Sequence, residues 1–204
     1  MSEAVNRTNR RLPPGSHGIP ANVVARNQRE RLVAAMAEVC AEGGYAEASV
    51  ARVAKRAGVS SLTFYKQFAD KRECMLAAHR ELLSRLLEEV DRVCETESGK
   101  AAKARVAIRT VLALFAADAP SARLLTVEIL AAGPEGAKCH DAAVEALGRR
   151  LRAGDSAGDS PLSNADWVRA AGMLTLVGKL VVAGEAKRLA ELEDELVATV
   201  SLQS

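Results

Sequence analysis

The chain is predicted to be all-α, on three observations. Apolar residues recur three and four apart, as in Leu32, Val33, Met36 and Val39 or Leu82, Leu83, Leu86 and Val90, which places them on one helix face. Glycine and proline interrupt these stretches at Gly43-Gly44, Gly58, Pro120 and Gly133-Pro134, where a helix ends or cannot continue. Residues able to cap a helix, Ser60, Asp70 and Ser121, stand just before new apolar runs.

Residues 1–19 are rich in Asn, Arg, Pro and Gly and lack periodicity, so a flexible basic arm is expected there. Its Arg7, Arg10 and Arg11 suit phosphates or a minor groove; a tail that stays solvated is the equal alternative. The first helix is expected from Pro20, a first-turn residue, to about Glu42, ended by Gly43-Gly44. Its Arg26, Arg29 and Arg31 face either DNA phosphates or solvent. Val50, Val53, Ala54 and Ala57 mark the second helix, which stops at Gly58, a residue free to adopt the left-handed conformation. Ser60 then caps a third helix that turns Phe64 and Phe68 inward, while Ser61, Leu62, Thr63, Tyr65 and Lys66 project elsewhere.

Two short helices joined by a tight glycine turn make a helix-turn-helix. The second of them shows hydroxyls, an amide, a phenol and a lysine, groups that meet phosphates or base edges, and so reads as a DNA recognition helix. Asp70 with Glu73 then forms a capping-box pattern for a long fourth helix to about Cys94, the natural lever between two parts of the molecule. Lys100 to Ala117 reads as a fifth helix, and Ser121 is expected to cap a short sixth running to Leu130. A seventh spans about Glu135 to Arg152, followed by a small polar loop at 153–163, expected to be mobile. Asn164 to Ala183 and Glu185 to about Ser201 close the chain as two helices with broad apolar faces, suited to pairing with a twofold copy or to packing within one subunit.

The stretch from Ala48 to Lys71 carries a resemblance. Gly44-Tyr45, Ser49-Val50, Val53-Ala54, Arg56-Ala57-Gly58-Val59-Ser60, Thr63-Phe64-Tyr65, Phe68 and Lys71 match, in order, the pattern of the tetracycline-repressor (TetR) family of bacterial transcriptional regulators. The match covers roughly the N-terminal third of the chain; beyond it the likeness is to the family's all-helical layout. Leu62, where the family often has glycine, and Gln67, where it often has histidine or tyrosine, depart from the pattern on the reading helix. The resemblance implies a homodimer formed through the last two helices, bound to a near-palindromic double-stranded DNA operator. It also implies a small-molecule effector held among the middle helices, whose binding releases the DNA.

Bulk properties agree. Residues 1–80 hold 13 Lys and Arg against 7 Asp and Glu, a net of +6, and the remainder is −4, so positive charge gathers at the helix-turn-helix end. No apolar run reaches membrane-spanning length, and the first residues lack a secretory signal, so a cytoplasmic protein is expected. Cys40, Cys74, Cys94 and Cys139 are widely spaced and read as buried thiols. The chain lacks a nucleophile elbow, a phosphate-cradling glycine loop and an H-E-x-x-H pair; no enzyme, cofactor or metal site is expected.

The expected domains are the arm at 1–19, a helix-turn-helix DNA-binding domain at 20–69, and a helical ligand-binding and dimerisation domain at 70–204. Ser60, Ser61, Leu62 and Gln67 are candidates for base edges; Thr63, Tyr65 and Lys71 for phosphates, with Ser49 donating from the start of the second helix; Arg52 and Lys66 for either. Four of the six aromatics belong to the DNA-binding end, so a pocket in the second domain should be mainly aliphatic, with Phe115, Arg123, His140, Trp167 and Met173 as candidate lining residues. Two other readings stay open: a DNA-binding regulator without a ligand, and a helical interaction module.

Overall fold

The computed structural model describes residues 20–153 and 161–201; the arm expected at 1–19, residues 154–160 of the expected loop, and residues 202–204 lie outside the described residues. Among the described residues there are helices and turns and no strand. Helix α1 (Ala21–Glu47) kinks at Gly44, whose φ of 78° and ψ of 167° interrupt the helix where the sequence places its end. One more helical turn follows before α2 (Val50–Ala57), which ends on left-handed Gly58 at φ 63°.

Arg31 donates to the Ala57 carbonyl, and a Cβ at Gly58 would stand 2.7 Å from its guanidinium. Arg31 thus ties α1 to the end of α2, in place of the phosphate or solvent contact expected from its charge. Helix α3 (Ser61–Tyr65) follows, and α4 (Lys71–Cys94) opens on Asp70, which accepts the Glu73 N–H at 2.8 Å.

The second half comprises α5 (Lys100–Ala117), α6 (Ala119–Thr126), a 3-10 turn at Glu128–Ala132, α7 (Pro134–Ala153), α8 (Asn164–Val182), a 3-10 segment at Ala186–Leu192 and α9 (Glu193–Ser201). Three boundaries differ from expectation, the first being the end of the sixth helix, which stops at Thr126 with a separate 3-10 turn beyond it where one helix to Leu130 is expected. The cap of α6 is Asp118, which accepts both the N–H and the hydroxyl of Ser121, because proline fits a first helical turn and does not delay the start. The last expected helix is split, and Glu193 begins a separate one where Arg109 of α5 donates to both its oxygens at 3.0 Å.

Two apolar clusters share α4. Its first turns, with Cys74, Met75 and Ala78, pack with α1, α2 and α3 and with Leu124, Ile129 and Ala132 from beyond α4. Its later turns, with Leu86, Val90 and Cys94, pack with α5, α7 and α8. Leu82 touches both clusters, so the apolar core changes over in mid-helix. No helix among the described residues is long and apolar enough to cross a membrane.

The cysteines are free; Cys40, Cys74 and Cys94 are buried, and burial pushes the Cys40 thiol up to about 12 and Cys74 higher still. His79 of α4 is fully buried, and burial, aided by nearby His140, pushes it down from 6.5 to about 4. The unfolded chain takes up this proton first as pH falls. Stability present above pH 6.5 is therefore lost toward pH 4, by roughly 3 kcal/mol in all. Urea unfolding across that window should show the loss, and a His79→Leu variant should lack it; equal slopes in the two would show that other groups govern the acid limb.

Candidate nucleic-acid interface

The surface around α3 is assembled by contacts that run inward. Phe64 and Phe68 are fully buried with ring centroids 5.6 Å apart, and the Arg29 guanidinium lies over Phe68 at 4.5 Å while its Nε donates to Glu81 at 2.8 Å. Arg29 therefore faces α4. With Phe64 on its inner side and Phe68 just beyond its end both anchored, α3 turns its other side outward. Leu62 is 69% exposed and Tyr65 57% exposed, and Ser61 and Lys66 are exposed beside them. Tyr65 is held edge-on against Phe64 at 5.7 Å, which fixes its ring while its hydroxyl reaches solvent. An exposed leucine and tyrosine on a short helix leave apolar area in water that only a partner can cover.

The remaining candidates have partners within the domain. Ser60 Oγ accepts the Thr63 N–H at 3.1 Å and pairs with Thr63 Oγ1 at 3.0 Å, so this serine caps the start of the helix. Gln67 Nε2 reaches the Ala25 carbonyl at 3.4 Å, which turns this amide toward α1. Ser49 Oγ accepts the Arg52 N–H, which leaves its own O–H able to donate to a phosphate. Arg52 bonds the Glu47 carbonyl at 2.9 Å and Glu42 at 3.3 Å. Arg56 joins the same cluster through Glu38 and Glu42, whose carboxyl is held below the usual range mainly by its hydrogen bond from Arg56.

Lys71 departs furthest from its expected role. Its Nζ lies 3.2, 3.4 and 2.9 Å from the carbonyls of Tyr45, Ala46 and Ala48, and 4.6 Å above the Tyr45 ring. The ammonium closes the carbonyl end of α1 and holds the connection that leads into α2. Lys71→Met is therefore expected to lower unfolding stability by about 1 to 2 kcal/mol as well as to weaken binding to all DNA sequences alike. Urea unfolding checks this. A lysine that met phosphate alone would leave the unfolding curve unmoved.

Lys55 was not among the residues expected from the sequence. It is exposed on the last turn of α2, with no ion pair among the described residues, opposite the buried Val53, Ala54 and Ala57, and that position relative to the apolar stripe was the available signal.

The five candidate pocket residues do not share one wall. Phe115 and Met173 are packed in the second core, Trp167 is 41% exposed at the start of α8, and His140 lies on α7. Arg123 turns toward α1, donating to Glu128 at 2.8 Å and to the Ala41 carbonyl at 2.9 Å.

Residues 32–78 match the family of bacterial regulatory proteins, tetR family. The fatty acid metabolism regulator protein of Bacillus subtilis is 27% identical over 88 residues, covering 43% of this chain and 45% of that protein. The HTH-type transcriptional activator FasR of Mycolicibacterium smegmatis is 27% identical over 128 residues, 61% of this chain and 58% of that one. The chain thus spans about half the length of the curated relatives it matches. Among solved structures, the transcriptional regulator FadR of Bacillus subtilis, in complex with stearoyl-CoA, superposes with a TM-score of 0.72 at 21% identity over 84% of this chain and 97% of that one, which shows a shared fold.

Proposed function

We propose that this chain, a member of the tetR family of bacterial regulatory proteins, is a sequence-specific DNA-binding transcriptional regulator that works as a homodimer and is released from a near-palindromic operator by a small, mainly apolar ligand. The observation that carries the reading is the outward face of α3, where Ser61, Leu62, Tyr65 and Lys66 stand clear of the core on a helix anchored by Phe64 and Phe68. Leu62 suits a thymine methyl, Tyr65 and the Ser49 hydroxyl suit phosphates, and Lys66 suits either. The division into an arm at 1–19, a reading domain at 20–69 and a regulatory domain from 70 onward belongs to the same proposal.

Dimerisation is assigned to α8 and the segments after it. Val168, Gly172, Thr175, Lys179 and Val182 are exposed three and four residues apart along α8, and a Cβ at Gly172 would meet nothing within 4 Å. That stripe leaves room for a second helix to approach closely. For the ligand, the second core is aliphatic, with Phe115 the one aromatic among its buried residues. Together with the fatty acid relatives and the stearoyl-CoA of the similar fold, this favours a long-chain acyl compound.

The test is to retain genomic DNA fragments on the purified protein, sequence them, and challenge the complex with long-chain acyl-CoA, short acyl-CoA and aromatic acids. One enriched near-palindrome, released by the long-chain compound, is expected. Retention that follows salt alone, with no enriched sequence, would overturn the reading. Transcription from the enriched site with and without the protein distinguishes a repressor from an activator, the role that the Mycolicibacterium relative's name gives it.

A further inference from the structure

In an uninterrupted α1 the Tyr45 N–H would bond the Ala41 carbonyl four residues back. Gly44, at φ 78° and ψ 167°, breaks that geometry. Two side chains from beyond α4 stand at the break. The Tyr45 N–H donates to Glu128 Oε2 at 2.7 Å, and Arg123 donates to the Ala41 carbonyl at 2.9 Å and to Glu128 Oε1 at 2.8 Å. An ion pair thus takes the place of one helical hydrogen bond, carboxylate to the freed donor and guanidinium to the freed acceptor. Glu128 is buried, and a Cβ at Gly44 would lie 3.5 Å from its Oε2, so the pair is seated in the kink.

The rest of the seam between α1 and α6 is less tightly filled. Toward the start of α6, a cleft of about 140 Å³ opens between Val33, Ala37 and Glu38 of α1, Leu82 and Arg85 of α4, and Pro120. Thus α6 is pinned to α1 at its C-terminal end and is open at its N-terminal end. From the other side, Lys71 grips the carbonyls of Tyr45, Ala46 and Ala48 in the same connection.

We propose that Arg123 and Glu128 are positioning residues that link the second domain to the reading unit: they hold the Gly44 kink, and through it the connection into α2, so that a shift of α6 re-aims α2 and α3. For its effect on DNA the link rests on the proposed function; its effect on the kink does not. The pair is matched to the polarity of the backbone it meets, with acceptor against N–H and donor against C=O. Exchanging the two residues keeps an ion pair and reverses that match.

The test compares wild type, Glu128→Ala, Arg123→Lys and the exchanged double variant Arg123→Glu/Glu128→Arg, by amide hydrogen exchange and by affinity for the retained genomic fragments. In Glu128→Ala the Tyr45 amide should exchange about tenfold faster or more, with amides of α7 and α8 unchanged, and fragments should bind about tenfold weaker irrespective of sequence. Arg123→Lys keeps the charge but cannot reach both partners, and should give a smaller loss of the same kind with a wild-type melting curve. The exchanged variant should restore neither readout. An unchanged Tyr45 amide in Glu128→Ala, or restoration by the exchanged pair, would overturn the link. If Glu128→Ala does not fold, the Arg123→Lys exchange pattern decides the question. If wild type retains no specific fragment, the DNA-binding reading fails, and Tyr45 exchange still decides the link.

Discussion

Replacing Leu62 and Tyr65 together by alanine should lower affinity for the operator by about 100-fold while leaving the melting curve within about 0.5 kcal/mol of wild type. Both side chains are mostly exposed, and neither makes a hydrogen bond among the described residues, so their removal takes little from the fold. A thymine methyl that Leu62 no longer covers and a phosphate that Tyr65 no longer bonds each weaken binding by roughly 1 to 2 kcal/mol, and the two effects together give the expected factor. The anchors behind them differ in kind. Phe64 and Phe68 are buried in the core, and truncating either would unfold the reading unit and so could not separate recognition from stability. A competition assay on the double variant checks the prediction; undiminished affinity would mean that α3 does not present its outer face to the bases.

Gly136→Ala should destabilise the protein by about 3 kcal/mol, against the gain of about 1 kcal/mol that alanine brings to an ordinary helical position. Gly136 lies in the first turn of α7, and a Cβ there would stand 2.0 Å from the Ile129 carbonyl oxygen and 3.0 Å from the Ala132 Cβ. The carbonyl belongs to the 3-10 turn that carries Glu128, so relief requires α7 and that turn to separate. Urea unfolding reads the loss, and faster exchange of the Tyr45 amide should accompany it because Glu128 moves with its turn. A stabilised variant would show that α7 and the turn have room between them.

Features decided by near neighbours were legible in the sequence. Gly58 ends α2 through its own backbone freedom, and Ser60 and Asp70 cap helices through bonds to N–H groups three residues ahead. Features decided by distant partners were not. Lys71 is charged and next to a DNA-reading helix, yet its carbonyl partners lie 23 to 26 residues earlier, brought under it by the α1 kink. Gln67 meets Ala25 from 42 residues away, and Arg123 meets Ala41 from 82. Charge at those positions looked available because the sequence does not show which carbonyls a fold leaves without partners. The start of α6 differs for a local reason: Pro120 looks like a stop in the sequence, although proline is tolerated in a first turn and Asp118 is the residue placed to cap it.

The candidate site divides accordingly. Leu62, Tyr65, Ser61 and Lys66 project outward as their helical positions imply, whereas Ser60, Gln67, Arg52 and Lys71 hold the frame that presents them. A base-reading residue and a frame residue differ in how their loss depends on DNA sequence, and this difference can be measured. The decisive measurement is affinity of wild type, Leu62→Ala and Lys71→Met for a panel of operators, each changed at one base pair. Leu62→Ala should lose its preference at one or two A·T positions and keep the rest, while Lys71→Met should weaken every operator by the same factor. Identical profiles for the two variants would contradict the assignment of reading to the outer face of α3 and of support to the residues behind it.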